Sequence, residues 1–301
     1  MCLSRLNDTY AIPGQLEFVA GRGGFPMAGI DNGKARALVS TYAGQVLSFQ
    51  PAGQAQDLLF VSDAAYFQSG KAIKGGIPVC WPWFGPDPEQ RGRPAHGFVR
   101  NRPWEVHKTE ALTDGDTRIT LGLADSSATR SIWPAAFELL LQVTVGDGLQ
   151  VELCSRNTGD RPYTLTQALH SYFRVGDIGE VQVSGLDGRD YLDKAGDGRH
   201  RTQAGVVRFD AEVDRVYLDV PPALVIDDAS LGRRIQVSAT GSRTAVVWNP
   251  WAELAANMGD LDDDDYRHFV CVETANAATE VVEINPGDEY CLGADYRVQP
   301  L

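Results

Sequence analysis

The sequence predicts a mostly-β fold, a sandwich or a barrel, and three observations carry that expectation. The first is the segment from Phe137 to Leu153. Phe137, Leu139, Leu141, Val143 and Val145 alternate with Glu138, Leu140, Gln142 and Thr144, and the alternation resumes at Leu149, Val151 and Leu153 after Gly146-Asp147-Gly148. A period of two on both sides of a glycine turn is a β-hairpin with one buried face. The second is the recurrence of short runs of the same kind: Ile119/Leu121/Leu123, Val181/Val183, Ile235/Val237, Ala245 to Trp248, Phe269 to Val272 and Val281 to Ile284. The third is what separates them, clusters of Gly, Pro, Asp and Asn such as Gly185 to Gly188 and Asn285 to Asp288, which are turn chemistry. Many short strands at this spacing point away from alternating βαβ units.

Other elements are few. Thr164 to Ala168 reads as a strand. One helix is expected near Pro250 to Met258, with Asn249 as its cap, Pro250 at the first helical position and Gly259 at its end. The aspartate run Asp262 to Asp265 lacks the alternating ligand spacing and bidentate glutamate of a calcium loop, and reads as a solvated loop. No repeat or linker is visible, so one large β domain over residues 1–301 is the simplest organisation.

Bulk properties narrow the function. The chain has 301 residues, 40 acidic against 27 basic, for a net charge of -13. Such a charge repels nucleic-acid phosphates and argues against that partner. The five cysteines (Cys2, Cys80, Cys154, Cys271, Cys291) are odd in number, scattered and without a CxxC pair. Neither a disulfide framework nor a zinc site is therefore expected. The N-terminus lacks the apolar stretch and small-residue cleavage site of a secretion signal. No run approaches the ~18 apolar residues of a membrane helix. The expectation is a cytoplasmic protein with no membrane partner, monomeric by default.

One segment departs from the acidic background. Lys71 to Arg102 holds six cations (Lys71, Lys74, Arg91, Arg93, Arg100, Arg102) against two anions (Asp87, Glu89), a local balance of +4. Lys and Arg give charge-assisted hydrogen bonds to phosphate, so an anionic substrate belongs here unless the stretch is simply solvated surface. Gly75-Gly76 would let the backbone approach a ligand, and Trp81, Trp83 and Phe84 could wall a pocket, though aromatic clusters are usually core.

Candidates for proton transfer are scarce. Of the five histidines, His96 stands in AHGFVR beside the basic segment and His170 stands in QALHSYFRV after a strand-like run. A lone histidine at a strand end is commonly structural unless a proton partner can be named. Glu273, closing the apolar run from Phe269, is that candidate partner, because a carboxylate against such a strand is paired, at a rim, or functional. Burial would raise its pKa toward general-base values. Asp214, in DRVYLD, is a weaker candidate with a turn-forming role as its plain alternative.

Six stretches in order carry a family likeness: KGGIPVCWPWFGP (74–86), PAHGFVRNRPWEV (94–106), ALHSYFRVGDI (168–178), DRVY (214–217), VVWNPW (246–251) and CVETAN (271–276). With them the chain resembles the glucose-6-phosphate 1-epimerases, or hexose-6-phosphate mutarotases, of the aldose 1-epimerase superfamily. The resemblance implies an all-β, galactose-mutarotase-like super-sandwich of large antiparallel sheets with few short helices, no cofactor, no metal, and a hexose 6-phosphate substrate. Position by position it makes His170 and Glu273 the catalytic pair, sets His96 beside the sugar ring oxygen and makes Asp214 a substrate ligand. Lys74 and Arg100 become phosphate ligands. Two departures stand out: Lys74 where relatives often carry arginine, which loses bidentate geometry, and Ala95 where some carry glutamine.

The expected chemistry is mutarotation. Glu273 takes the C1 hydroxyl proton while protonated His170 gives one to the ring oxygen; the aldehyde rotates about C1–C2 and recloses with the roles reversed. His96 donates a hydrogen bond to the ring oxygen. Three rivals stay open at this point: a mutarotase of free sugars, a non-catalytic carbohydrate-binding module, and a metal site of His96, His170 and Glu273, whose separations match no metal motif.

Overall fold

A computed structural model describes residues 2–301. The predicted hairpin is present as the antiparallel strands Phe137–Val145 and Leu149–Asn157, with Val145 opposite Leu149. Its inward residues, Phe137, Leu139, Leu141, Val143, Leu149, Val151 and Leu153, are all buried. The pair sits inside an eight-stranded antiparallel sheet. Its order is Val181–Ser184, Ala223–Asp228, Arg233–Thr240, Glu289–Pro300, Leu149–Asn157, Phe137–Val145, Thr117–Ala124 and Glu105–Ala111.

A second eight-stranded sheet runs His200–Thr202, Asp190–Asp193, Val213–Tyr217, Thr244–Asn249, Phe269–Asn276, Gln167–Leu169 and Val79–Cys80, with Tyr172–Arg174 also paired to Phe269–Asn276. A four-stranded meander of Leu16–Ala20, Pro26–Asp31, Ala35–Ser40 and Gln45–Pro51 and a two-stranded ribbon complete the β structure. The two large sheets pack through one shared apolar cluster, in which Leu169, Phe173, Val247 and Val272 meet Leu153, Ile235, Val237, Leu292 and Tyr296. This is the all-β arrangement of large antiparallel sheets that the sequence predicts.

The strand Phe269–Asn276 is buried on both faces. Val270 and Val272 join the cluster between the sheets, while Ala275 joins a separate small cluster on the other face, with Cys80, Ala168, Val216 and Val246. Alternation along the strand puts Glu273 on that other face, between Cys271 and Ala275. The candidate site residues gather there.

Three expectations need correction, and two helices are additional. Thr164 to Ala168 is two strands, Tyr163–Leu165 paired to Val282–Ile284 and Gln167–Leu169 paired to Phe269–Asn276. The break falls at Thr166, whose N–H and hydroxyl bond Pro82 O and Phe84 N instead. The expected helix is shorter, Trp251–Ala255, because Trp251 enters it at φ 56°; Asn249 accepts from the Trp251 N–H, and its own amide is spent on Tyr266 O and Phe269 O. Two short helices, Leu3–Tyr10 and Ser127–Ile132, had no expectation; the second is held by a Ser126/Thr129 capping box. Finally, Cys154 and Cys291 form a disulfide. They lie directly across the ladder between Leu149–Asn157 and Glu289–Pro300 with Cα atoms 4.1 Å apart, a proximity that 137 residues of separation conceal. The cysteine pattern consequently no longer supports a reducing compartment. Among the described residues no helix is long and apolar enough to cross a membrane.

Candidate active site

His170 and Glu273 meet through strand pairing. Leu169 pairs with Thr274 and Tyr172 with Cys271 on the same register, which places His170 opposite Glu273 in the interval between the two short strands. There the backbone leaves the ladder: the His170 N–H bonds Pro78 O, and the Ser171 N–H bonds Leu169 O. Ser171 shares a hydrogen bond of 2.6 Å with the Tyr296 hydroxyl of the other sheet, so its neighbour His170 faces the site. The result is His170 Nε2 at 3.5 Å from Glu273 Oε1. His170 is 7% exposed and Glu273 2%, and both His170 Nδ1 and Glu273 Oε2 lack a protein hydrogen-bond partner. Buried polar atoms are rarely left so unless they serve a ligand or a reaction.

Aromatic rings fix the imidazole. Tyr172 stacks on it at 4.8 Å, Trp248 meets it edge-on at 6.0 Å, and His96 lies 5.7 Å away. His96 stands in a sharp turn at φ 63°. Gly97 follows it because a Cβ there would run into the Trp81 carbonyl. The Gly85 N–H donates to His96 Nδ1 at 3.4 Å, which leaves the ring proton on Nε2. Burial, then the charges of Arg100, Lys194 and Lys74, push the His96 pKa down to about 3. His96 is thus a neutral imidazole with one N–H to donate.

Burial shifts the two groups of the His170–Glu273 pair in opposite directions. Burial, helped by the Asp214 charge, holds the Glu273 carboxyl well above its usual value. Burial, followed by His96, Arg100 and Lys74, holds His170 well below its own. Both shifts favour the neutral forms of the two groups. Low dielectric disfavours both charges, and the neutral arrangement wins.

The basic segment divides on folding. Arg93 is tied to Asp87 and Glu89, and Arg91 to Glu89. Lys74 Nζ lies 3.5 Å from Asp260, 3.9 Å from Met258 Sδ and 6.0 Å from the Trp248 ring centre. Arg100 bonds only the Ala95 carbonyl and has no carboxylate partner among the described residues. Asp214 lies in register with Trp248, which pairs with Cys271, on the same face as Glu273. Of the expected wall, Trp81 and Trp83 belong to the core and only Phe84 reaches the site, at 4.9 Å from His96. Gly75 serves backbone packing, not a ligand: a Cβ there would strike Phe60 and Val61.

All six residues named from the sequence thus converge on one face. Two site residues had no local signal: Asp260, in a loop, and Lys194, at the end of Asp190–Asp193, whose Nζ lies 4.0 Å from Asp214. Three or more possible metal-ligand atoms lie within 4.8 Å of one another, among the described residues, only at Glu152, Cys154 and Cys291, where the two sulfurs are bonded to each other. A groove of about 1220 Å³ beside Asn7, Ile12, Glu17 and Arg36 is lined by no histidine.

Residues 26–297 match the family model described as aldose 1-epimerase. A protein of Escherichia coli (strain K12), provisionally named glucose-6-phosphate 1-epimerase, is 41% identical over 250 residues, 83% of this chain and 82% of its own. A crystal structure of a provisionally named mutarotase from Salmonella typhimurium superposes with TM-score 0.90 at 35% identity, covering 97% of this chain and 96% of that one. A galactose mutarotase-like protein from Lactobacillus casei shares the fold, with TM-score 0.74 at 13% identity over 91% of this chain and all of its own. The match of model, relatives and fold over most of the chain places it in one family: the chain belongs to the aldose 1-epimerases.

Proposed function

We propose that this protein interconverts the α and β anomers of a hexose 6-phosphate, glucose 6-phosphate foremost, by acid–base ring opening and reclosure. The observation that carries the reading is the His170–Glu273 pair: opposite in register, 3.5 Å apart, buried, and bordered by Lys74, Arg100 and Lys194. The name carried by the 41% identical relative supports the same substrate.

Each proton has a route. With His170 protonated and Glu273 ionised, the Glu273 carboxylate accepts the C1 hydroxyl proton while His170 donates to the ring oxygen. The bond between C1 and the ring oxygen breaks, and the aldehyde rotates about C1–C2. Glu273, now protonated, returns its proton to the carbonyl oxygen as His170 takes one from the C5 hydroxyl. The proton sits on His170 before opening and on Glu273 after it, so one proton serves both half-reactions. The His96 Nε2–H is suited to the charge that develops on the ring oxygen. Arg100, with no competing carboxylate, is the first anchor for the 6-phosphate and Lys74 the second, a remote grip that positions C1.

A second reading, a mutarotase of free aldoses, is favoured by one observation: Asp260 beside Lys74 places negative charge where a phosphate would sit. Anomer exchange measured by NMR or polarimetry on glucose 6-phosphate and on glucose separates the two. We expect a higher kcat/KM for the phosphate. A preference for glucose overturns the substrate, and no rate above buffer overturns the catalytic reading in favour of a binding module. A phosphorylated hexose does not cross membranes unaided, which supports a cytoplasmic place for the protein; the shared core of both large sheets supports one domain over residues 1–301.

A further inference from the structure

We propose that Lys194 is a specificity-determining residue of this site: with Asp214 it forms a donor–acceptor pair that grips two neighbouring hydroxyls of the sugar. The proposal rests on the sugar-phosphate reading above and adds the part of the substrate that no phosphate ligand sees.

Register puts Lys194 on the site face. Leu192 pairs with Val216, Val216 with Val246, and Val246 with Glu273, one row across four strands. The Lys194 N–H then bonds Asp214 O at 2.8 Å, which carries the ladder two residues past Leu192. Two residues along a strand return a side chain to the same face, so Lys194 projects with Leu192, Asp214 and Glu273. Its Nζ lies 4.0 Å from Asp214 Oδ2 and 5.9 Å from the centre of the Phe84 ring, which also meets His96 edge-on. Its charge is felt at both His96 and Glu273.

The neighbouring charges leave Lys194 free for this work. On the same hairpin Arg201 is paired with Asp193 and Asp197, and Arg199 with Asp197. Among the described residues Asp214 is the only carboxylate within 4.0 Å of the Lys194 Nζ, at a distance longer than a hydrogen bond, and the side chains remain 34% and 26% exposed. A phosphate at this spot would face the Asp214 charge. A vicinal diol would not: one hydroxyl donates to the carboxylate while the adjacent oxygen accepts from the ammonium, and both charge-assisted bonds are made.

The test uses Lys194→Met and Lys194→Arg in the full chain, with glucose 6-phosphate, its C2 and C4 epimers, and inorganic phosphate as probes. Lys194→Met should raise KM and the directly measured Kd for glucose 6-phosphate by about 10–100-fold, the worth of one hydrogen bond to a charged group. It should leave kcat within a few-fold and flatten discrimination among the epimers, because the lost binding is uniform. Inhibition by inorganic phosphate should be unchanged, and Lys194→Arg should recover part of the affinity. A weaker inorganic phosphate Ki in Lys194→Met, or an unchanged Kd and epimer preference, overturns the proposal. Should the wild type bind glucose 6-phosphate without turning it over, the catalytic reading fails while the Kd values still decide Lys194. No binding by the wild type overturns both.

Discussion

Replacing Glu273 by Gln should destroy activity and stabilise the protein, and the size of the second effect follows from where the carboxyl sits. Glu273 is 2% exposed and its Oε2 has no protein partner. Burial raises its pKa above the ordinary 4.5 in the folded state alone. A carboxyl whose folded pKa is raised gives stability that is fully present below its unfolded pKa and is lost as pH rises toward the folded one. Over that window the unfolded chain is ionised and the native chain is not. Each pH unit of it costs the wild type about 1.4 kcal/mol. Glutamine keeps the shape and has no proton to lose, so the cost vanishes. At roughly 2–4 °C per kcal/mol, the melting temperature of Glu273→Gln should pull ahead of wild type by about 3–6 °C per pH unit from pH 5 upward. The gap becomes level once Glu273 ionises in the native state. Anomer exchange should fall ~10²–10⁴-fold in the same variant. Melting scans at half-unit pH steps from 4.5 to 8, with NMR exchange rates on the same samples, check both halves. A gap that does not change with pH, or a variant that keeps a tenth of the rate, would refute the burial reasoning or the catalytic role.

Arg100→Met should raise KM for glucose 6-phosphate about 10–100-fold and leave any activity on glucose unaltered, since it removes a charge-assisted phosphate contact; steady-state kinetics on both sugars reads the difference. Asp260→Asn frees Lys74 of its carboxylate, so it should tighten glucose 6-phosphate by up to about 5-fold, the ceiling for a partly exposed pair, with no gain for glucose. Replacing Cys154 and Cys291 by serine opens a 137-residue loop and should cost about 2–5 kcal/mol in denaturant unfolding while kcat/KM stays within two-fold, because the bond lies in the sheet that does not carry Glu273.

What could be read from the sequence was whatever repeats locally. The Phe137–Leu153 hairpin is legible because its alternation and turn lie within 17 residues, and the buried face follows at once. Glu273 was legible as an anomaly, a carboxylate closing an apolar strand. That it meets His170, 103 positions away, was not, because the contact depends on a register set by Leu169 and Tyr172 on either side of a gap. Thr164 to Ala168 shows the same limit: one strand-like run serves two sheets, and only the partners divide it. Lys194 and Asp260 are ordinary charged residues in ordinary turns until folding sets them beside Asp214 and Lys74. The six cations of the basic segment looked equivalent; Asp87 and Glu89 claim two of them and leave Arg100 without a carboxylate.

The interval between Leu169 and Tyr172, where His170 drops out of the ladder opposite Glu273, has a consequence for how such a protein can diverge. The gap between proton donor and acceptor is measured by the spacing of adjacent strands, about 4.8 Å in any sheet, and no insertion in a loop can stretch it. Lys74, Arg100, Lys194 and Asp260 stand outside strands, on segments that tolerate change. Descendants of this scaffold can therefore trade one sugar for another by rewriting loops while the His170–Glu273 distance is inherited intact.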